Sequence, residues 1–302
     1  MLLLLIGIQC ANHKASEFTE TPTRGNIRII ADDSFLPIVE AEIATFTSIY
    51  KYAHITPIFL PEKDLIAAFL KDSIKVVISA WEPSEQQKQL LLGSQTIVRT
   101  TVVAYDAIAL VLNKENKDSL LTYQNVNDLF KGKMTDWKEI NPTSKLGKMV
   151  AVFDNDKSAN IRYFREQFEL GAQLPSNFYS LKSNEEVVDY VTKNKSAIGL
   201  VSINWIGNHQ DSTSRSFSDK IKIAAISNKV LDNSSYFLPV QGSIYDKTYP
   251  FTRKVNLVSR ENFRGLGSGF ISWFAAEQGQ RIVLKSGLVP ATMPIRLIQL
   301  KK

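Results

Sequence analysis

The feature that most constrains the fold of this chain is a regular alternation between short β-branched runs and longer stretches with apolar residues at helical spacing. This alternation predicts α/β layers built on mostly parallel strands. In the first part of the chain, the predicted strands are 27–31, 55–60 and 76–79, and the predicted helices are 36–50, 62–71 and 84–92. Two further apolar runs, 96–104 and 107–112, contain no helical period.

The alternation resumes after Asn113 and predicts a second α/β unit of ordinary domain size. Its predicted helices are 126–130, 158–168 and 185–193, and its predicted strands are 149–153 and 197–201. Residues 208–220 are polar and include five Ser or Thr, so we expect an exposed loop there. The chain closes with a predicted strand at 254–258 and two helices at 267–276 and 278–285.

Composition narrows the possible functions. The 302 residues carry a net charge of +6 that is spread along the chain without a Lys/Arg-rich block, so we expect no nucleic-acid binding. His13, His54 and His209 are far apart in sequence, and none forms a metal-ligand pair. No nucleophile elbow or phosphate loop is present either. We therefore expect no metal, no cofactor and no enzymatic activity.

The amino terminus has the pattern of an export signal. The first eight residues are strongly apolar except Gly7, and Cys10, the single cysteine, follows them. Residues 1–10 are therefore predicted to be a signal segment with a lipidation site, and the mostly polar residues 11–26 a linker to the first strand. Together they resemble a bacterial lipoprotein, which implies a lipid anchor at Cys10 and a location on the periplasmic or cell-surface side of a membrane. The alternatives are a structural cysteine or one removed with the signal. Apolar runs fall short of the roughly 20 residues needed to span a bilayer.

Three predicted strand-to-helix junctions carry small hydroxyl or amide residues. They are Asp33-Ser34-Phe35, Ser79-Ala80-Trp81 and Asp156-Lys157-Ser158-Ala159-Asn160. Each could present backbone N–H groups and a side chain to an anion, because open α/β sheets bind ligands at the carboxyl ends of their strands. Each could equally be an ordinary helix cap, with Ser34 capping the helix from residue 36.

Several segments, in this order and spacing, resemble the phosphate-binding proteins of ABC importers, which belong to the type 2 periplasmic-binding-protein superfamily. They are Ile108–Asn113, Asp128–Lys133 with Asp136–Ile140, Ala197–Ser202, Tyr249–Arg253, and Glu277–Gln280 with Gly287–Pro290. The resemblance implies an α/β fold of two Rossmann-like lobes joined by two crossover strands. It places lobe one at 27–108 and 228–302 and lobe two at 109–227.

The same resemblance implies a function and a site. The family encloses phosphate between its lobes by hinge closure. It implies a monomer that binds inorganic phosphate or a related oxyanion and delivers it to the membrane subunits of an ABC importer. By position in the motifs, the implied ligand-binding residues are Ser34, Phe35, Ser79, Ser158, Ala159 and Asn160.

The sequence departs from the family near this site. Ala159 and Asn160 replace a glycine and a hydroxyl residue, and Asp154 stands where many members carry an arginine. A compensating cation would have to come from Lys63, Lys157 or Arg162. Because a carboxylate accepts the proton that hydrogen phosphate carries and sulfate lacks, it can also favour phosphate.

Three alternatives stay open at this point. The same fold could bind a different small ligand against Trp81, whose other interpretation is packing between the lobes. The chain could be a sensor or surface protein without a transport role. An enzyme such as a phosphatase would need a metal set or a base beside a nucleophile, which the sequence does not supply.

Overall fold

The computed structural model describes residues 20–71, 74–93, 95–208, 210–228 and 235–294. The predicted export signal and Cys10 lie outside these residues, as does most of the predicted linker. Within the described part of the chain, no helix combines the length and the apolar character needed to cross a membrane.

The strands confirm the α/β class and most of the predicted positions. They are β1 (Gly25–Asp32), β2 (Ala53–Leu60), β3 (Val76–Ser79), β4 (Arg99–Asn113), β5 (Leu120–Leu121), β6 (Val150–Phe153), β7 (Phe178–Ser180), β8 (Ala197–Ser202), β9 (Ile221–Ile223), β10 (Ala225–Ser227), β11 (Tyr236–Phe237), β12 (Thr252–Ser259) and β13 (Val289–Pro290). The two apolar runs without helical spacing form one strand, β4. The shortest strands carry too few residues to show a period of two.

Each predicted helix is present near its predicted position, and the described residues contain two further helices, Ser212–Ser218 and Gln241–Tyr245. The helices are α1 (Leu36–Ile49), α2 (Glu62–Leu70), α3 (Glu85–Gly93), α4 (Tyr123–Phe130), α5 (Ala159–Gln167), α6 (Asn184–Lys193), α7 (Ser212–Ser218), α8 (Gln241–Tyr245), α9 (Leu266–Ala275) and α10 (Glu277–Lys285).

Two local predictions are wrong. Residues 208–220 are not a loop throughout, because α7 forms there with Asp211 as its cap and with Phe217 buried. The cap satisfies a free N–H of the first turn, so a serine-rich segment can be helical. Ser34 does not cap α1 either: it lies in a 3-10 helix, Asp33–Phe35, and α1 follows Phe35 without a side-chain cap.

One long strand connects two groups of strands. The sheet order is β2-β1-β3-β12-β4-β8-β6-β7. Residues 99–107 of β4 pair with β12, whereas residues 108–112 pair with β8. Within each group, β1 is parallel to β2 and β3, and β6 is parallel to β7 and β8. Because β4 belongs to both groups, it brings the carboxyl ends of β1 and β8 toward each other.

Gly199 explains how tightly the second group packs. A Cβ atom added at this position in β8 would lie 2.7 Å from a methyl of Val187 and 2.8 Å from a methyl of Val111. These contacts are too short for any side chain, so only glycine lets α6 lie against β8 and β4. The glycine of the Ala197–Ser202 motif therefore has a packing role.

A buried acid of α1, Glu42, bonds to a residue of α9. Glu42 has no exposed surface, and its Oε2 accepts a hydrogen bond of 3.0 Å from Trp273 Nε1. Its Oε1 has no hydrogen-bond partner in the described structure. Burial raises the pKa of Glu42 to about 9, because the charged form loses its hydration. Near neutral pH, the folded protein therefore holds this side chain as a neutral acid.

This raised pKa predicts a pH-dependent stability. In the unfolded state, Glu42 loses its proton above its ordinary pKa of 4.5, whereas in the folded state it keeps the proton up to about pH 9. The contribution of Glu42 to the free energy of unfolding is therefore largest below pH 4.5 and decreases as the pH rises to about 9. Glu42→Gln keeps the shape without the charge, and we expect a higher denaturation midpoint than in the native chain at about pH 8. Urea unfolding measures this difference. Glu40→Gln, on the exposed side of the same helix, is the control, and equal midpoints for Glu42→Gln and the native protein would contradict the prediction.

Candidate anion-binding site

Arg253 supplies the positive charge at the centre of the candidate site. It lies in β12 directly opposite Asp106 of β4, and its Nε donates a 2.8 Å hydrogen bond to Asp106 Oδ2. Ser202, at the end of β8, donates to Asp106 Oδ1 at 2.9 Å. The guanidinium carbon lies 4.9 Å from the centre of the Phe35 ring. Arg253 is thus held by β4 on one side and by an aromatic face on the other.

The terminal nitrogens of Arg253 are the most informative atoms in the structure. The residue is only 7% exposed, and neither Nη1 nor Nη2 has a hydrogen-bond partner among the described residues. Buried guanidinium N–H groups without partners are costly. Their planar fork matches two oxygens of a phosphate or carboxylate, so this geometry favours an oxyanion ligand.

The end of β1 lies next to this arginine. Asp32 Oδ1 accepts a 2.8 Å hydrogen bond from the Ser34 N–H, which leaves Asp32 Oδ2 and Ser34 Oγ without partners in the described structure. The Ser34 carbonyl accepts a 3.0 Å hydrogen bond from Asn204 Nδ2, in the 3-10 helix that follows β8. This bond connects the ends of β1 and β8.

The loop between β6 and α5 contributes a second acidic group. Ser158 caps α5, and its hydroxyl donates a 2.7 Å hydrogen bond to Asp154 Oδ1. Ala159 is fully buried in the first turn. Asn160 is also fully buried, and neither its Oδ1 nor its Nδ2 has a partner within the described ranges. The capping interpretation therefore holds for the Ser158 side chain, whereas the Asn160 amide is available to a ligand.

Ser79 belongs to a network that joins the two groups of strands. Its hydroxyl donates a 2.5 Å hydrogen bond to Glu62 Oε1, and Glu62 forms an ion pair with Arg162 of α5. Nearby, Lys157 Nζ lies 3.0 Å from Asp64 Oδ1. The positive charges of Arg162 and Lys157 are thus neutralised by partners on α2, and the uncommitted fork belongs to Arg253 instead.

Burial changes the proton affinity of the acids in this site. It raises the pKa of Asp32 to about 7, with a further increase from the Glu62 charge that outweighs the opposing effect of Arg253. Burial also raises the pKa of Asp154, against the effects of the Ser158 hydrogen bond and Arg253. Asp33 has a pKa of about 6 because of partial burial and the Asp154 charge. Asp32 is therefore the acid of this site that carries a proton in a substantial fraction of molecules near neutral pH.

The structure thus brings most of the predicted residues to one place. Phe35 lies against Arg253, and Ser34 is bonded to Asp32. Ser79 and Ser158 donate to Glu62 and Asp154, whose charges both act on Asp32. Sequence reasoning missed Arg253, although it stands last in the Tyr249–Arg253 motif. Its importance depends on the pairing of β12 with β4, which no local pattern shows.

Trp81 does not line the candidate site. Only 7% exposed, it packs in a small cluster with Ile30, Leu65 and Phe69, and its ring centre lies 5.7 Å from that of Phe69. The stacking role considered for Trp81 in ligand binding is therefore wrong. The side chain instead fixes α2 against β3.

Comparisons with known proteins agree with this architecture. The PBP superfamily domain matches residues 16–278, and the chain belongs to this superfamily. Its structure is similar to that of a protein from Clostridium perfringens provisionally described as a phosphate ABC transporter substrate-binding protein, with bound phosphate. The TM-score is 0.73 at 23% identity, over 88% of this chain and 100% of that one. The similarity to an ABC-type phosphate transport receptor from Vibrio cholerae has a TM-score of 0.66 at 17% identity, over 88% of this chain and 100% of that one. The type 2 fold predicted from the sequence is confirmed.

Curated relatives point to the same family. The phosphate-binding protein PstS of Staphylococcus epidermidis is 26% identical over 148 residues, which is 48% of this chain. That match spans 45% of the relative, so the chain covers about half of its length. PstS of Borreliella burgdorferi is 23% identical over 199 residues, 63% of this chain and 65% of that protein. The resemblance to phosphate-binding proteins of ABC importers is confirmed. Proteins of that family bind solutes, in agreement with the expectation that this chain is not an enzyme.

The different environments of Ser158 and Asn160 predict different effects on anion binding. Asn160→Ala removes an uncommitted donor and should weaken binding of an oxyanion such as phosphate by roughly 1–3 kcal/mol. Ser158→Ala should weaken binding less, because its hydroxyl proton already goes to Asp154, but it should cost roughly 1 kcal/mol of folding stability through loss of the cap. Calorimetry and urea unfolding measure the two effects. Unchanged affinity in Asn160→Ala would place this amide outside the site.

Proposed function

We propose that this protein is an extracytoplasmic solute-binding protein that encloses phosphate between two lobes and delivers it to an ABC importer. The lobes would be residues 27–108 with 228–302 and residues 109–227, and the protein would act as a monomer. Cys10 would carry the lipid that anchors it at the membrane surface. The ligand-binding residues would be Ser34, Phe35, Asn160 and Arg253, with Ser79, Ser158 and Ala159 shaping the loops around them.

The observation that carries this proposal is the unpartnered fork of Arg253. Its two terminal nitrogens, the Ser34 hydroxyl and the Asn160 amide are buried polar groups without partners among the residues described. An oxyanion with three or four oxygens would satisfy them together. The phosphate-related names of the fold neighbours and curated relatives support the same ligand class.

The surrounding acids indicate which oxyanion fits. Asp32 and Asp154 each have an Oδ2 atom without a partner in the described part of the chain. An ionised carboxylate can accept the proton of hydrogen phosphate, whereas sulfate offers none and would place oxygen against oxygen. When Asp32 is protonated, its O–H can instead donate to an oxyanion that has no proton.

This chemistry predicts phosphate selectivity that depends on pH. At about pH 8, above the Asp32 pKa of about 7, phosphate should bind and sulfate should bind weakly. From about pH 8 to about pH 6, the protonated fraction of Asp32 rises about tenfold, so sulfate affinity should rise by about the same factor. Because sulfate does not titrate in this range, its calorimetric affinity reports the protein alone.

Two variants make this test specific. Asp32→Asn should lose most of this pH dependence of sulfate affinity, whereas Arg253→Lys keeps the charge, loses the fork and should weaken binding of both anions. Arg281→Gln, at an exposed ion pair on α10, is the control. If the native protein binds neither anion, or if Arg253→Lys binds phosphate as tightly as the native protein, the proposal is wrong.

The anchor is tested separately. We expect Cys10→Ala, expressed from its natural start site in a bacterium, to move the protein from the membrane fraction to the soluble extracytoplasmic fraction, because the thiol that would carry the lipid is gone. Ultracentrifugation and immunoblotting measure this distribution. Continued membrane retention would contradict lipid attachment at this residue.

A further inference from the structure

A cavity lined by both apolar and polar side chains lies next to the candidate anion site. It has a volume of about 470 Å³ and lies between the first turns of α1, the 3-10 helix Ile203–Trp205, and the start of α7. Leu36 and Pro37, which line it, directly follow Phe35. Its volume is within the usual range for small-molecule sites. No residue of the proposed anion site lines this cavity, so it calls for a separate explanation.

Two buried polar side chains line this cavity with unsatisfied atoms. Asn204 is 1% exposed: its Nδ2 is bonded to the Ser34 carbonyl, but its Oδ1 has no partner in the described structure. Trp205 is 5% exposed, and its Nε1 donor likewise lacks a partner among the described residues. Buried polar groups of this kind are normally satisfied, so an unpartnered acceptor and an unpartnered donor on two consecutive residues of the cavity lining point to a ligand that bonds to both.

The charge of the lining indicates the sign of that ligand. Three carboxylates, from Glu40, Glu185 and Asp211, line the cavity, and no lysine or arginine does so among the described residues. The rim therefore favours a cation, in contrast to the fork of Arg253 nearby. Within the described residues, no group of three acids, histidines or cysteines is arranged to hold a metal ion. Separated carboxylates suit an organic ammonium group better than a metal ion.

We propose that this cavity binds a small organic ammonium compound that also carries an oxygen acceptor. The ammonium N–H groups would bond to Asn204 Oδ1 and to the rim carboxylates, and the ligand oxygen would accept from Trp205 Nε1. An indole ring is also the aromatic surface that attracts cations most strongly. This site goes beyond the proposed phosphate function, and only the case in which one molecule spans both sites rests on that function.

The ammonium group has two possible sources. It can belong to the same molecule as the oxyanion on Arg253, since Asn204 contacts the carbonyl of Ser34 and also lines the cavity. It can also belong to a separate molecule, such as an amino alcohol. The chemistry recognised in the cavity is the same in both cases, and a set of matched probes distinguishes them.

The test is calorimetry of the native protein with 2-aminoethylphosphonate, ethylphosphonate and ethanolamine. If one molecule spans both sites, 2-aminoethylphosphonate should bind at least about tenfold more tightly than ethylphosphonate, which lacks the ammonium group. If the ammonium compound is separate, ethanolamine should bind by itself, and the two phosphonates should bind equally. The proposal is overturned if ethanolamine gives no binding and the two phosphonates do not differ.

A double variant assigns any binding to the cavity. Glu40→Gln with Glu185→Gln removes two rim charges from exposed positions and should lower the affinity for the ammonium probe by about tenfold or more. Phosphate affinity should not change, because neither residue lies in the anion site. Glu85→Gln, at an exposed acid on α3, is the control. Equal ammonium binding in the double variant and the native protein would overturn the assignment. If the native protein binds the ammonium probe but not phosphate, only the proposed function is wrong.

Discussion

The buried ion pair between Arg253 and Asp106 is the interaction on which the rest of the site depends. The two residues are directly opposite each other where β12 pairs with β4, just before β4 passes to its second set of partners. Ser202 of β8 bonds to the same carboxylate. Three strands therefore meet at one charge pair. Removing one partner of such a pair typically costs about 3–5 kcal/mol, because the other charge stays buried.

This pair also determines which atoms remain for a ligand. Asp106 takes the Nε of Arg253 and leaves its two terminal nitrogens without a partner among the described residues. Around them stand acids whose pKa values are raised by burial, so the site combines one fixed positive charge with a carboxyl, that of Asp32, that can gain or lose a proton near neutral pH. Such a combination suits an oxyanion that itself carries a proton, which is the chemical difference between phosphate and sulfate.

Much of the fold could be predicted from the sequence, because the longer strands and helices have clear apolar periods. Ser34 and Phe35 were also predictable, since they follow a strong strand and precede a helix. Arg253 was not, because its role arises from a strand pairing across more than a hundred residues. The polar helix α7 was missed because its serines, together with its cap at Asp211, look like a loop in sequence. Asp154 stands where the family pattern has a positive charge, and in the proposed site that charge comes from Arg253 of β12 rather than from a neighbouring lysine.

The most direct measurement of the central claim is a crystal structure of the protein with bound arsenate, located by the anomalous scattering of arsenic. Arsenate has the shape and protonation chemistry of phosphate, and its position can be identified without reference to the surrounding atoms. The account predicts one arsenic peak whose oxygens lie within hydrogen-bond distance of both Arg253 terminal nitrogens and of the Ser34 hydroxyl. A peak elsewhere, with the Arg253 fork still free, would contradict it.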